Sequence, residues 1–279
     1  MIKRTQHLLL KILATIMGLS LSFTALADLD SVKAKGTLKV AVYHDFAPFS
    51  NGRTATAGID VDIAQALAKK LGVQLSLLPF DAGENLNDDL RNMVWKGHYL
   101  GYGPADVMLH VPVDPALSSA NPQVTIFGPY YREMILLAID TQRLSQVSNL
   151  NDLENKKLCA AKGETGANVF FAANNGSLAK QVRLMNNAQE CAELMKKGEV
   201  DAIAATRAEL ESALHDHPST QLVPIESPLL PPKGWMVGMA VKSDNNGLGE
   251  ALAVALDQIR RSGELDDIFT KHHVKFVSP

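Results

Sequence analysis

Residues 38–73, LKVAVYHDFAPFSNGRTATAGIDVDIAQALAKKLGV, decide the fold. Leu38, Val40 and Val42 alternate with polar or small neighbours, which predicts a strand. The run breaks at Ala47-Pro48 into a turn containing Asn and Gly. From 60 to 71 the apolar residues Val61, Ile63, Ala64, Leu67, Ala68 and Leu71 recur at helical spacing, and Gly72 stands where a C-cap glycine belongs. A second strand is expected over 73–78. Strand, aromatic-bearing loop, helix and strand make a βαβ unit. Open α/β sheets bind ligands outside the C-terminal ends of their strands, so Tyr43, His44, Asp45 and Phe46 are expected at a crevice.

Upstream, Lys3, Arg4 and Lys11 precede an apolar run from 12 to 26 that closes on Ala25-Leu26-Ala27. This pattern predicts a secretory signal peptide over 1–27, cleaved before Asp28, and a periplasmic protein. No cysteine lies near the cleavage point to take a lipid. Cleavage would remove three basic residues and no acidic one, leaving 252 residues with 24 Lys and Arg against 30 Asp and Glu, a net charge of −6. Such a chain lacks the basic patch of a nucleic-acid binder. Its two cysteines, Cys159 and Cys191, would meet an oxidising compartment. They form either a disulfide or two buried thiols, one on a strand and one on a helix.

Downstream, Leu86, Leu90, Met93 and Val94 share one face of a helix expected over 85–96. The next ten residues, GHYLGYGPAD (97–106), hold three glycines, a proline and two tyrosines. They describe a loop that bends tightly and presents Tyr99 and Tyr102, or one that packs those rings on its own lobe. Strands are expected at 106–111, 123–131 and 134–139. Alternating units follow: strand 157–161, helix 167–174, strand 181–185, helix 188–197, strand 202–205 and helix 207–215. A strand at 234–241 succeeds the Pro-rich 227–233, and a last helix over 247–261 carries Leu248, Leu252, Leu256 and Ile259 on one face.

Taken together, these segments resemble the family 3 extracellular solute-binding proteins, the periplasmic receptors of polar amino-acid ABC importers. The resemblance rests on LKVAV, the aromatic Phe46 ahead of Pro48-Phe49, and GIDVDIAQALAKKLGV. It continues through Gly128-Pro129-Tyr130-Tyr131, Asp152-Leu153-x-x-Lys156, Gly198-x-x-Asp201-Ala202 and the terminal helix. It spans essentially the whole chain beyond the signal peptide. What it implies is an α/β, two-lobe periplasmic binding protein fold of type II, with two crossover segments forming a hinge. The first lobe would take 28–131 and the return 237–279, the second 132–236, and the protein would be a monomer without a cofactor.

The resemblance also sets a test for the ligand. Amino-acid receptors of this family place an arginine after the strand equivalent to 106–111, to grip the ligand carboxylate, and an aspartate at a strand end of the second lobe, to grip the ammonium. The matching positions here hold Leu117 and Thr206. With both halves of the clamp replaced, an ordinary α-amino acid would be desolvated without charged partners. The residues left to bind a small polar ligand are Tyr43, Asp45, Phe46 (matching the family's stacking aromatic), His110, Arg132, Thr206 and the turn Gly163-Glu164-Thr165-Gly166. That turn opens a helix and suits an oxyanion, or is simply the helix's cap. Arg132 replaces the lost arginine or makes a hinge salt bridge.

His44, Asp45 and His110 are chemically adequate metal ligands, but the chain has no HxH or HExxH spacing, and His272-His273 is expected on an exposed helix end. A metal site is therefore not expected. Neither is an active site, since no Gly-x-Ser-x-Gly elbow and no Cys–His pairing is suggested. Three function classes stay open. The first is a solute receptor that closes on a small polar ligand and delivers it to an ABC permease. The second is an accessory factor of a periplasmic quinoprotein (methanol or alcohol) dehydrogenase, since Tyr130-Tyr131-Arg132 resembles binding-like proteins of such systems. Tyr99, Tyr102, Leu229, Leu230 and Trp235 would then be partner surface. The third is one of the few enzymes that share the fold.

Overall fold

The computed structural model describes residues 24–279, so the expected signal peptide lies, over 1–23, outside the described residues. Helix α1 (Thr24–Lys35) leads into strand β1 (Thr37–Tyr43), followed by α2 (Ile59–Leu71) and β2 (Gln74–Phe80). This is the expected βαβ unit. β1 pairs in parallel with β2, setting Leu38 opposite Leu75, and Val40 lies opposite both Leu77 of β2 and Val107 of β3 (Val107–Pro112). With β4 (Val124–Glu133) and β10 (Trp235–Lys242) these strands form a sheet in the order β2-β1-β3-β10-β4. Leu38, Val40, Ile63, Leu67, Met108 and Leu109 are sealed from water. They are the apolar positions that the two periods, two and 3.6, direct inward.

Between β2 and β4 the chain departs from the expected pattern twice. The helix expected over 85–96 is α3 (Leu86–Leu90) running into a π-helical turn, Arg91–Trp95. A short helix α4 (Pro115–Ala120) appears where none was expected, started by Asp114, whose carboxylate accepts the Leu117 amide at 2.8 Å, with Pro115 in the first turn. An Asp-Pro start is a cap signal without any apolar periodicity to advertise it. Leu117 thus sits on a helix and packs its side chain against the first sheet's core.

A second sheet has the order β7-β6-β8-β5-β9, built from β5 (Ile135–Asp140), β6 (Leu158–Ala161), β7 (Val182–Met185), β8 (Ala202–Thr206) and β9 (Thr220–Pro224). β6 runs parallel to β7 and β8, while β5 is antiparallel to β8 and β9. Every residue of β5 is buried. Leu136 and Ala138 enter one apolar cluster with Cys159, Cys191, Met195 and Ile203, and Leu137 and Ile139 enter another with Leu158, Phe170 and Ala202. A strand covered on both faces reads as a continuous apolar run, as this one does. Helices α5 (Thr165–Ala172), α6 (Ala188–Lys196) and α7 (Arg207–Ala213) follow β6, β7 and β8. Cys159 of β6 and Cys191 of α6 form a disulfide, with Cα atoms 5.7 Å apart.

The chain divides into two compact units. One takes the residues up to His44, Asp60–Gly128 and Gly238–Ser262, and the other takes Asp45–Ile59, Pro129–Val237 and Gly263–Pro279. Two stretches expected with the first lobe therefore group with the second sheet, for visible reasons. In the loop 45–59, Phe49 is fully buried with its ring 6.3 Å from that of Tyr131. After α8 (Asn246–Arg261), helix α9 (Glu264–Lys271) stacks Phe269 on Tyr131 at 4.6 Å, and the Lys275 amide donates to Glu211 at 2.7 Å. α8 buries Leu248, Leu252, Leu256 and Ile259, the face read from the sequence.

Candidate functional site

In the second unit, the parallel strands β6, β7 and β8 end near one another at Ala161, Met185 and Thr206, and a helix starts just beyond each. A pocket of about 560 Å³ opens there. One wall is Ala161 and Glu164, ahead of α5; another is Asn186, Asn187 and Gln189 around the start of α6; a third is Glu209, Ser212 and Ala213 of α7. The remaining wall is the loop after β1, through Asp45, Phe46, Pro48 and Asn51.

That loop holds its shape by its own hydrogen bonds. The Phe46 amide donates to Ser50 O at 2.7 Å, the Ser50 amide returns to Phe46 O at 2.9 Å, and the Ile59 amide reaches Pro48 O at 3.0 Å. Phe46 stacks on the buried Phe49 at 5.4 Å. Gly58 closes the loop at φ 141°, where a Cβ would lie 2.1 Å from the Phe49 carbonyl oxygen, so only glycine fits. On the opposite wall Gly166 does the same for α5: a Cβ there would meet Ala204 O at 2.1 Å, and its absence lets the helix start directly against β8.

The electrostatics of this pocket are one-sided. Asp45, Glu164 and Glu209 line it, and no lysine, arginine or histidine does. Glu209 is partly engaged, since the Thr206 hydroxyl donates to it at 2.6 Å and the Thr206 amide at 3.1 Å, completing a capping box on α7. Glu164 is different. It occupies the N-cap position of α5 without making a side-chain cap bond. Burial raises its pKa, with no charged or hydrogen-bonding group acting alongside. Two residues before it in sequence, Lys162 donates through Nζ to Asn186 Oδ1 at 2.9 Å.

The residues expected at a ligand separate into groups. Asp45 and Phe46 line the pocket, Gly163 and Thr165 flank its Glu164, and Thr206 serves as the cap that holds Glu209. Tyr43 and His110 belong to the first unit. The Tyr43 hydroxyl donates to the buried Asp89 at 2.9 Å, and Asp89 also accepts the Gly83 amide at 2.8 Å. Burial, then the Asp89 charge, raises the Tyr43 pKa, and burial raises that of Asp89. His110 Nδ1 lies 3.1 Å from Oδ2 of the buried Asp60, on the first turn of α2. His44, read as a possible metal ligand, pairs through Nε2 with Asp81 at 2.6 Å. Arg132 donates to the Lys233 carbonyl at 3.3 Å, and its amide donates to Val277 O at 3.0 Å, so it ties the second unit's own segments together.

Glu164 was read from the sequence only as part of the turn 163–166, and Glu209 went unassigned. Glu209 carried a local signal, the Thr206-x-x-Glu209 spacing of a capping box. Among the described residues no group of three or more His, Cys, Asp or Glu is arranged to hold a metal ion. Tyr99 is 88% exposed and Leu100 66%, on a turn closed by His98 N to Tyr102 O at 2.8 Å. His98 stacks on Tyr102 at 4.3 Å and lies 4.4 Å from the Tyr99 ring.

Two five-stranded sheets with helices, joined by a chain that passes from one unit to the other and back, fit a type II periplasmic binding protein fold. More narrowly, the chain has the fold of the family 3 solute-binding proteins, as comparison with solved structures shows. An ancestral cationic amino acid solute-binding protein superposes with a TM-score of 0.69 at 21% identity, covering 88% of this chain and 99% of that one. An amino acid ABC transporter substrate-binding protein from Streptococcus pneumoniae, bound to L-arginine, gives 0.63 at 20% identity over 90% and 99%. In sequence, a "Probable histidine-binding protein" of Neisseria gonorrhoeae is 22% identical over 245 residues, 85% of this chain and 83% of that protein. No family model matches the chain.

Proposed function

We propose that this chain is a periplasmic solute-binding protein that takes a small polar ligand in the pocket at the ends of β6, β7 and β8 and hands it to an ABC permease. The observation that carries the reading is that pocket's composition: an aromatic ring, carboxylates and amides converge where open α/β sheets bind ligands. The printed names of the similar proteins, a histidine-binding protein and an ABC transporter substrate-binding protein, support it. The reading is of a binder without catalytic groups or cofactor, working as a monomer.

Native mass spectrometry of the mature protein, purified gently from its own periplasm, tests this. A small-molecule mass released on denaturation is expected. Phe46→Ala should weaken binding of that molecule by more than about 1 kcal/mol while leaving the fold intact, because a stacked ring is worth that much beyond its burial. An unchanged affinity removes Phe46 from the site. A second reading draws on the exposed Tyr99–Leu100 turn: an accessory factor that docks a periplasmic dehydrogenase. A preparation that carries no small molecule but a co-purifying dehydrogenase would favour it.

A further inference from the structure

We propose that the ligand of this pocket is a small organic amine carrying no carboxylate group; the inference rests on the solute-binding reading above and names the ligand class for the same site. The argument starts from what surrounds the cavity. Its charged lining residues are Asp45, Glu164 and Glu209, and its neutral polar ones are Asn51, Asn186, Asn187, Gln189 and Ser212. A ligand ammonium or guanidinium entering about 560 Å³ of such space meets acceptors on three walls and the Phe46 ring on the fourth.

A ligand carboxylate fares worse at every point. With no cation among the lining residues, it would leave water for a site where its nearest charged neighbours repel it. The first amides of α5, which no intrahelical carbonyl reaches, are the natural anion donors of the pocket. Glu164 stands at the cap position directly before them, so an anion bound there would press against a carboxylate. The lining Asn186 is itself engaged by one charge of each sign: its Oδ1 accepts from Lys162, and its amide nitrogen donates to both carboxylate oxygens of Glu190. Glu164 makes no side-chain cap bond, and desolvation raises its pKa, which a bound cation would offset.

The test is a set of titrations on the full mature protein with three matched pairs of probes, each pair differing only by the carboxylate: agmatine against L-arginine, histamine against L-histidine, and 1,5-diaminopentane against L-lysine. In at least one pair the decarboxylated member is expected to bind at least tenfold more tightly, and Glu164→Gln to weaken that binding at least tenfold with no change in thermal midpoint. Tighter binding of the amino-acid members overturns the amine inference and leaves the solute-binding reading standing. So does a carboxylate-bearing mass released from protein purified from the periplasm. Binding of none of the six probes, with no retained mass, sinks both. An amine that binds Glu164→Gln as well as the parent overturns the role given to Glu164.

Discussion

The two sheets use the carboxylates near their strand ends differently. In the first unit Asp89 takes the Tyr43 hydroxyl and the Gly83 amide, Asp60 lies within hydrogen-bond distance of His110, and Asp81 sits at ion-pair distance from His44. Asp89 and Asp60 are 4% and 1% exposed, so these partners are what make their burial tolerable. In the second unit Glu209 is half committed to a helix cap, and Glu164 borders a cavity without a donor. An acid matched to donors belongs to the frame. One kept beside an open cavity without them is available to a ligand.

The second unit also contains a buried acid that sharpens the distinction. Glu133 is 1% exposed; its Oε1 accepts the Met134 amide at 2.9 Å and the Arg207 amide at 3.1 Å, while Oε2 has no partner. Burial pushes its pKa up from 4.5 to about 8. Between those values the folded chain keeps a proton that the unfolded chain has lost. The stability contribution is therefore complete below pH 4.5 and is lost as pH rises to about 8, on the order of 5 kcal/mol if the whole shift is realised. Glu133→Gln should remove this slope. Denaturant melts at pH 5 and pH 9 check it, and equal losses in parent and variant would assign the slope to other groups. A ligand-affinity change in the same variant would mean that Glu133, too, belongs with Glu164.

Next in size is the disulfide. Cys159 and Cys191 are 32 residues apart and both fully buried in one cluster of the second unit. Replacing both by Ala should cost roughly 3–4 kcal/mol on the chain-entropy account. Hydrogen exchange is expected to show the loss across β6, β7 and α6 and not in the first unit. Uniform loss over both units would mean that the two do not unfold separately.

Much of the frame was legible because periodicity records burial. Val40, Ile63 and Leu67 announced β1 and α2, and the unbroken apolar run of β5 announced a strand covered on both faces. What escaped were elements without a periodic stripe: α4, begun by an Asp-Pro cap, and β9, a five-residue strand beside β5. Helix α9 is separated from α8 only by Ser262 and Gly263, the latter at φ 81°. At the site, Asp45 and Phe46 could be placed because strand ends are where such folds bind. The partners of Tyr43 and Arg132 could not, since Asp89 is 46 residues from the first and Lys233 is 101 from the second. Long-range hydrogen bonds leave no local pattern, so the bonds that Tyr43, His110 and Arg132 make inside the protein could not be read from the sequence around them.

The smallest effect tests the comparison most directly. Asp89→Asn keeps the shape of the side chain but replaces one of its two acceptor oxygens by a donor, so either the Tyr43 hydroxyl or the Gly83 amide loses its partner. A buried donor left unsatisfied costs about 1–3 kcal/mol, and ligand affinity should not change. Glu164→Gln should show the reverse, with stability within about 0.5 kcal/mol of the parent, as for substitutions that break no structural partnership, and a loss of affinity. Thermal denaturation and ligand titration on both variants separate the cases. If Asp89→Asn lowered affinity as much as Glu164→Gln, the Tyr43–Asp89 pair would be part of the ligand site, and the division between a structural and a functional strand edge would fail.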